Sequence, residues 1–307
     1  MNTITALLNI LIFPAGMTLI LVGMVYEWMD RKLVARFQNR IGPRWFQPFA
    51  DIIKLLAKEQ ITPTGANRIL FFLLPVIALS GALTASLYVP LMGLQPSHSF
   101  PGDLIVAIYL LSLLTMSIGL AGWNTSSRFS LVGATRALTQ MFAYEGPFLL
   151  ALLGPALAAS SWQINEINTF AGSHWMILTQ PVGFIVALIG LMGKLELPPF
   201  DAPEAETEIV SGALTDYSGR GLAIFEVGKS VELVVGLTLV AAFYLGGING
   251  FLPFLLKTIL LLVIMSILQS VLTRLRIDQT VGLWWRFGAI LVLAQILVMI
   301  LLKGRVL

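Results

Sequence analysis

The stretch "GLAIFEVGKSVELVVGL", Gly221–Leu237, opens an apolar segment near 221–247 yet carries Glu226, Lys229 and Glu232 at every third position. As a helix the segment is long enough to cross roughly 30 Å of hydrocarbon. At 100° per residue the three charges fall within about 120°, on one face. Each charge costs about 2.5–3.5 kcal/mol at mid-span, so such residues normally face a partner or a wet cavity. One reading is a self-satisfied Glu–Lys–Glu ladder that fixes helix packing. The other, which this sequence favours, is a polar track inside a bundle of spanning helices.

The rest of the chain sets that bundle. Of its 307 residues, 57% are hydrophobic and 11% charged, and the mean hydropathy is +0.87. An ordinary soluble domain has about 25% charged residues. The fold class expected is therefore all-α, a polytopic integral membrane protein forming one transmembrane domain over residues 1–307. Eight spans are expected, near 4–28, 69–90, 104–123, 141–160, 175–193, 221–247, 251–273 and 283–303. The longest connections leave no room for a soluble domain, and no internal repeat is evident. The first apolar stretch has no basic residue ahead of it and no small-residue cleavage site after it, so it reads as a retained helix rather than a signal peptide.

With no cysteine in the chain, disulfides, thiolate metal sites and Cys-ligated clusters are excluded within it. The two histidines, His98 and His174, are far apart in short connections, which argues against a His-ligated haem or catalytic zinc. No catalytic residue, metal ligand or redox centre is expected. A formal charge of +3 is too small to suggest nucleic acid. Its distribution is informative: the odd-numbered connections carry fourteen of the nineteen Lys and Arg residues, and connections two, four and six carry none. The positive-inside rule then places odd connections in the cytoplasm and both termini on the opposite side of an inner (plasma) membrane. Lys303 and Arg305 run against the pattern.

Two connections have structure of their own. "WFQPFADIIKLLAKE", Trp45–Glu59, sets Trp45, Phe49, Ile52, Ile53 and Leu56 at helical spacing opposite Asp51, Lys54 and Lys58, as in an amphipathic helix lying in the interface. It reads as an anchor, or as a lip around an opening from the lipid. The fifth connection holds "PFDAPEAETEIVSG", Pro199–Gly212, and six of the sixteen acids fall between Glu196 and Asp216. Asp201-Ala-Pro-Glu204 has the form of a capping box. A helix starting there would put Asp201, Glu204 and Glu208 on one face and Glu206 on the other. Crowded carboxylates raise one another's pKa and share protons over a broad range, which suits the mouth of a proton path. Glu145, near the cytoplasmic end of span four, joins the candidates.

Four blocks carry a resemblance: "DRKLVARFQNRIGP" (Asp30–Pro43) with "PFADIIKLLAKE"; "GATRALTQMFAYEGP" (Gly133–Pro147); "PFDAPEAETEIVSG" followed by "TDYSG"; and "RLRIDQ" (Arg274–Gln279) with Trp285. The chain resembles the H subunit of respiratory complex I (NADH:quinone oxidoreductase) and its counterparts in group 4 membrane-bound nickel–iron hydrogenases and related sulfur-reducing complexes. The resemblance implies an eight-span subunit of an ion-translocating oxidoreductase. Its partners would be iron–sulfur and large hydrogenase-like peripheral subunits, antiporter-like membrane subunits and the lipid bilayer. No cofactor would be bound by this chain alone, although quinone-reducing members form a quinone chamber against the peripheral arm. The proton- or conformation-coupling residues would be Glu145, Asp201, Glu204, Glu206, Glu208 and Asp216, joined by Glu226, Lys229 and Glu232 from the charged stripe. Docking or chamber residues would be Asp30, Arg36, Arg40, Arg136, Tyr217, Arg274, Arg276 and Asp278.

The chain departs from the family pattern at one place. Quinone-reducing members usually have "ETNR" before the proline, where this sequence has Lys194-Leu-Glu196-Leu197. That departure, with "GALTDYSGR" and "DRKLVAR", is similar to the hydrogenase branch, so a hydrogenase-type or sulfur-reducing complex is expected ahead of a quinone reductase. The competing classes are a structural anchor and a stand-alone secondary transporter. The transporter would have its substrate near Glu226, Lys229 and Glu232 and helix breaks at Gly146-Pro147 and Gly154-Pro155.

Overall fold

The computed structural model describes residues 13–125 and 127–306, apart from the side chains of Glu206 and of 302–306. The start of the first expected span, and the side chains of Lys303 and Arg305, lie outside the described residues. The helices are α1 (Gly16–Phe37), α2 (Gln47–Ala57), α3 (Arg68–Ala85), α4 (Asp103–Asn124), α5 (Arg128–Ala159), α6 (Ile164–Ser173), α7 (Pro181–Lys194), α8 (Gly219–Tyr244), α9 (Phe251–Val271), α10 (Ile277–Leu283) and α11 (Ala289–Val306), with a π-helical turn at Trp284–Gly288 joining the last two. Among the described residues there is no strand.

Among the described residues, five segments are long and apolar enough to cross a membrane: Arg68–Gly93, α4, α5, α9 and Ile277–Leu301. The other three expected spans, the first of which begins outside the described residues, are not among these five. Helix α1 runs on through Asp30, Arg31, Lys32 and Arg36, residues expected in the first connection. Helix α7 has only 14 residues, preceded by a separate turn at Met176–Thr179. Helix α8 carries Arg220, Glu226, Lys229 and Glu232.

Helix α8 is the axis of the bundle. Every residue from Ser230 to Tyr244 is buried, against α1, α2, α3, α6, α7 and α9. A helix that is apolar nearly all round has no face to give to water and goes to the middle. By contrast α11 leaves Ile290, Leu291, Leu293, Leu297, Val298, Ile300 and Leu301 exposed, an apolar surface of the kind that lipid or another spanning helix covers. The charges of α8 therefore sit where protein can compensate them. Helix α2 forms as the amphipathic pattern implies: Phe49 and Ile52 pack on the core, while Asp51 pairs with Arg31 at 3.6 Å and Lys54 at 3.3 Å.

Two expectations need correction. Helix α5 is unbroken from Arg128 to Ala159 and contains both Pro147 and Pro155, so it has no mid-depth break of the transporter kind. A proline cannot donate to the carbonyl four residues back. For Pro155 that carbonyl belongs to Ala151, and it accepts a 2.6 Å hydrogen bond from the Tyr244 hydroxyl instead. The second correction concerns Asp201. No helix begins there; the loop's helical turns are Glu206–Ile209 and the 3-10 turn Gly212–Leu214, and the Asp201 side chain is taken by Arg274. The loop is held down by other means. Gln140 Nε2 donates to the carbonyls of Gly193 (3.1 Å) and Phe200 (2.7 Å), and Leu275 N–H to Pro199 (3.0 Å). At Gly133 a Cβ would come within 2.3 Å of Ala213 N, so only glycine lets the loop lie this close to α5.

Tyr244→Phe should strip the Ala151 carbonyl of its partner and lower stability by about 1–3 kcal/mol, the usual cost of a buried unsatisfied acceptor. Thermal unfolding of the purified complex would read it, with the helix content unchanged below the transition.

Candidate functional site: a charged track from a vestibule into the bundle

Where α7 ends, the chain turns sharply: Glu196 takes a left-handed conformation with φ of 54°. Both side chains flanking the turn reach α8, Lys194 near Glu232 and Glu196 against Lys229. Lys229 of α8 meets the loop here. Its ammonium donates to Glu196 Oε2 at 3.2 Å and to Glu204 Oε1. The stripe of α8 is thus not a self-satisfied ladder, because its lysine pairs with carboxylates of the loop. Burial pushes the Glu196 carboxyl above the ordinary carboxylate range, and Lys229 opposes that shift.

Deeper in, Lys194 is fully buried. Its Nζ lies 3.8 Å from Glu145 Oε2 and 4.0 Å from Glu232 Oε1, and donates to Ser112 Oγ at 3.2 Å; Ser112 in turn donates to Glu145 Oε1. At about 4 Å and an effective dielectric near 20, each attraction is of order 4 kcal/mol. That is comparable to the roughly 2.5–3.5 kcal/mol cost of a charge at mid-span, so the one ammonium can compensate one ionised carboxylate.

Toward the loop the track opens into a vestibule of about 510 Å³. Glu27, Asp30, Glu196, Asp201, Glu204 and Glu226 line it, against Arg31, Lys229 and Arg274. The excess of acids concentrates cations there. Asp30 accepts from Ser266 Oγ (2.7 Å) and Gln269 Nε2 (3.1 Å), and Glu27 pairs with Arg31. Beside the vestibule, α1, α2, α3 and α8 enclose a wholly apolar groove of about 340 Å³.

A second, outward-facing cluster closes the loop's far side. Arg274 grips Asp201 with two parallel bonds, Nε to Oδ1 at 2.8 Å and Nη2 to Oδ2 at 2.5 Å, the geometry that suits a guanidinium fork. Arg136 Nη1 donates to Glu208 Oε2 at 2.8 Å and holds that carboxyl below its ordinary range. Arg136, Glu208 and Arg274, with Arg276 and Asp278, rim a cavity of about 400 Å³.

Relatives with known names share this sequence over nearly its whole length. The chain is 35% identical to NADH-quinone oxidoreductase H subunit 2 of Syntrophobacter fumaroxidans over 300 residues, 91% of each chain. It is 33% identical to the NADH-quinone oxidoreductase H subunit of Dehalococcoides mccartyi, covering 95% of this chain and 85% of that one. With the corresponding protein of Bacillus thuringiensis it shares 34% identity, covering 89% and 87%. The NADH dehydrogenase family model matches residues 8–300. This chain belongs to the H-subunit family of NADH-quinone oxidoreductase. It is a membrane protein and part of a complex related to complex I.

On this H-subunit framework the expected coupling residues divide. Glu204, Glu226 and Lys229 meet at the vestibule; Glu145 and Glu232 meet at Lys194. Asp201 and Glu208 belong to the outward cluster with Arg136 and Arg274, although Asp201 and Arg274 also border the vestibule. Asp216 is apart, accepting from Ser130 Oγ at 3.2 Å, and the side chain of Glu206 lies outside the described residues. Among the expected docking residues, Arg36, Arg40, Arg276 and Asp278 are exposed. Tyr217 is not: its ring is stacked on Phe71 at 4.2 Å, edge-on to Phe225, with burial raising the hydroxyl's pKa, so within this chain it belongs to the core. Lys194, Glu196, Ser112, Glu27 and Arg31 were missing from the expected site. The signal for the first two was their position, since they stand where the family pattern has other residues.

The two loop acids respond to pH with opposite signs. Glu208, depressed by Arg136, contributes stability above the ordinary carboxylate range and loses it as pH falls through its lowered pKa. Glu196, raised by burial, favours the folded loop below that range and loses the contribution as pH rises through its raised pKa. Arg136→Gln should return Glu208 to ordinary glutamate behaviour, and Lys229→Met should lift Glu196 further. Carboxyl-specific infrared titration of the purified complex checks both directions.

Proposed function

We propose that this chain is the coupling subunit of its oxidoreductase: it docks the iron–sulfur peripheral arm and relays that arm's redox reaction into ion translocation. The observation that carries the reading is the series Glu204, Lys229, Glu196, Glu232, Lys194, Glu145, in which each lysine stands between two carboxylates, running from the vestibule to the middle of the bundle. Carboxylates and ammonium groups in such a series can hold and pass protons, whereas a mere anchor has no use for buried charge. Arg274 and Arg136 keep the loop shut over the vestibule, and the exposed Arg36, Arg40 and Arg276 offer the arm a basic docking face on the cytoplasmic side of an inner membrane. Antiporter-like subunits would receive the ion displacement at the Glu145 end.

The electron-transfer branch we assign is hydrogenase-type or sulfur-reducing. Lys194 and Leu197 stand where quinone-reducing members have the glutamate and arginine of their "ETNR" pattern, leaving the vestibule without those groups for a quinone head. A quinone chamber is the second reading. It is favoured by the apolar groove opening beside the vestibule, which fits an isoprenoid tail, and by the names that the relatives carry.

Glu145→Gln and Glu204→Gln in the whole complex should each cut ions moved per electron in proteoliposomes, while electron transfer to a soluble acceptor continues. Unchanged ratios in both variants would remove the ion-relay reading. Reduction of a soluble quinone that competes with a quinone-site inhibitor would shift the branch to the second reading.

A further inference from the structure

Lys194 has an unusual position within the track. Its ammonium has three N–H donors and gives one to Ser112. It lies almost midway between two carboxylates, 3.8 Å from Glu145 Oε2 and 4.0 Å from Glu232 Oε1, beyond hydrogen-bond reach of either. Both oxygens of Glu232 and Oε2 of Glu145 are buried with no hydrogen-bond partner among the described residues. Two idle donors therefore stand between three idle acceptors, in a site where an unmade hydrogen bond costs about 1–3 kcal/mol. A small displacement of the flexible stem satisfies one carboxylate and abandons the other.

We infer that Lys194 is a switching, positioning residue: its ammonium moves between Glu145 and Glu232, and the carboxylate it leaves takes up the proton. The charge balances at each position. When Lys194 pairs with Glu232, Glu145 is neutral and protonated. When it moves to Glu145, that proton passes on and Glu232 becomes the group able to accept one. The ammonium keeps its own protons throughout and moves in the sense opposite to the proton. The surroundings confine the motion. Tyr144 of α5 places its ring 5.7 Å from Nζ, Ser112 of α4 forms the floor, and Lys229 of α8 repels a retreat toward the loop. Glu196, held by Lys229, is the next carboxylate outward.

The inference deepens the ion-relay reading and rests on it. It also separates from a purely structural lysine by one property. Arginine keeps the charge but presents a planar fork of five donors that can hold both carboxylates at once, so it would lock a switch that it would merely replace in a structural pair.

The test uses the complete complex in proteoliposomes. Wild type should give, in infrared difference spectra during turnover, a paired loss and gain of protonated-carboxyl absorbance, one member removed by Glu145→Gln and the other by Glu232→Gln. Lys194→Arg should abolish the pair and the ions moved per electron. A Lys194→Arg complex that translocates at the wild-type ratio overturns the switch, and so does a wild-type spectrum without the pair, which needs no variant to fold. If instead the pair is present but Glu145→Gln and Glu232→Gln leave the ratio unchanged, the ion-relay reading falls and takes Lys194's part in translocation with it.

Discussion

The ammonium of Lys229, held between Glu196 and Glu204, joins the interior of the bundle to the loop that covers it. A charged helix can occupy the centre of a membrane protein only if something opposite in sign reaches it. Here the compensation of Lys229 comes from a connection, while Glu232 faces Lys194 at the end of α7. The acidic loop is therefore part of the core: Phe200, Ala202, Ala205 and Ile209 are buried with it, and Gly133 lets it close on α5. Removing one member of such a set leaves the others buried and unpaired, which destabilises by more than the intact pair contributes. Helix α8, the loop and the vestibule stand or fall together.

The arrangement also explains why the charges are distributed in two stations. One, around Lys229, borders the vestibule and is partly wetted. The other, around Lys194, lies deeper in the bundle, with Lys194 and Glu232 themselves buried. Between them lies a single turn of α8, since Lys229 and Glu232 are three residues apart. Two like stations so close along one helix face make the state of each felt by the other, without any large rearrangement of the backbone.

Much of this was legible in the sequence. The spans α3, α4, α5 and α9 follow from hydropathy, and the amphipathic α2 from its spacing. The charged face of α8 was readable because 3.6-residue periodicity is local. What could not be read was partnership. Nothing local says that Lys229 chooses Glu204 over its own helix neighbours, or that Asp201 turns to Arg274 instead of capping a helix. The cap was plausible by motif, but a guanidinium fork 73 residues away outcompetes it. Likewise the prolines of α5 read as breaks because the Tyr244 hydroxyl that repairs one of them comes from another helix. Lys194 and Glu196 showed only as a departure from a pattern, since their roles depend on a turn at positive φ that sets them against different charges of α8.

The shortness of α7 has a consequence for the surrounding bilayer. Fourteen residues at 1.5 Å each extend about 21 Å, some 9 Å less than a typical hydrocarbon core. Against the expected span near 175–193 the missing length falls at the start of α7, where the separate turn Met176–Thr179 and Gln180 precede Pro181. Backbone outside a helix is tolerated at membrane depth only where protein covers it, and Gln180 at the join is wholly buried. A helix too short to span thus keeps lipid away from its own entry and ties that end to its neighbours.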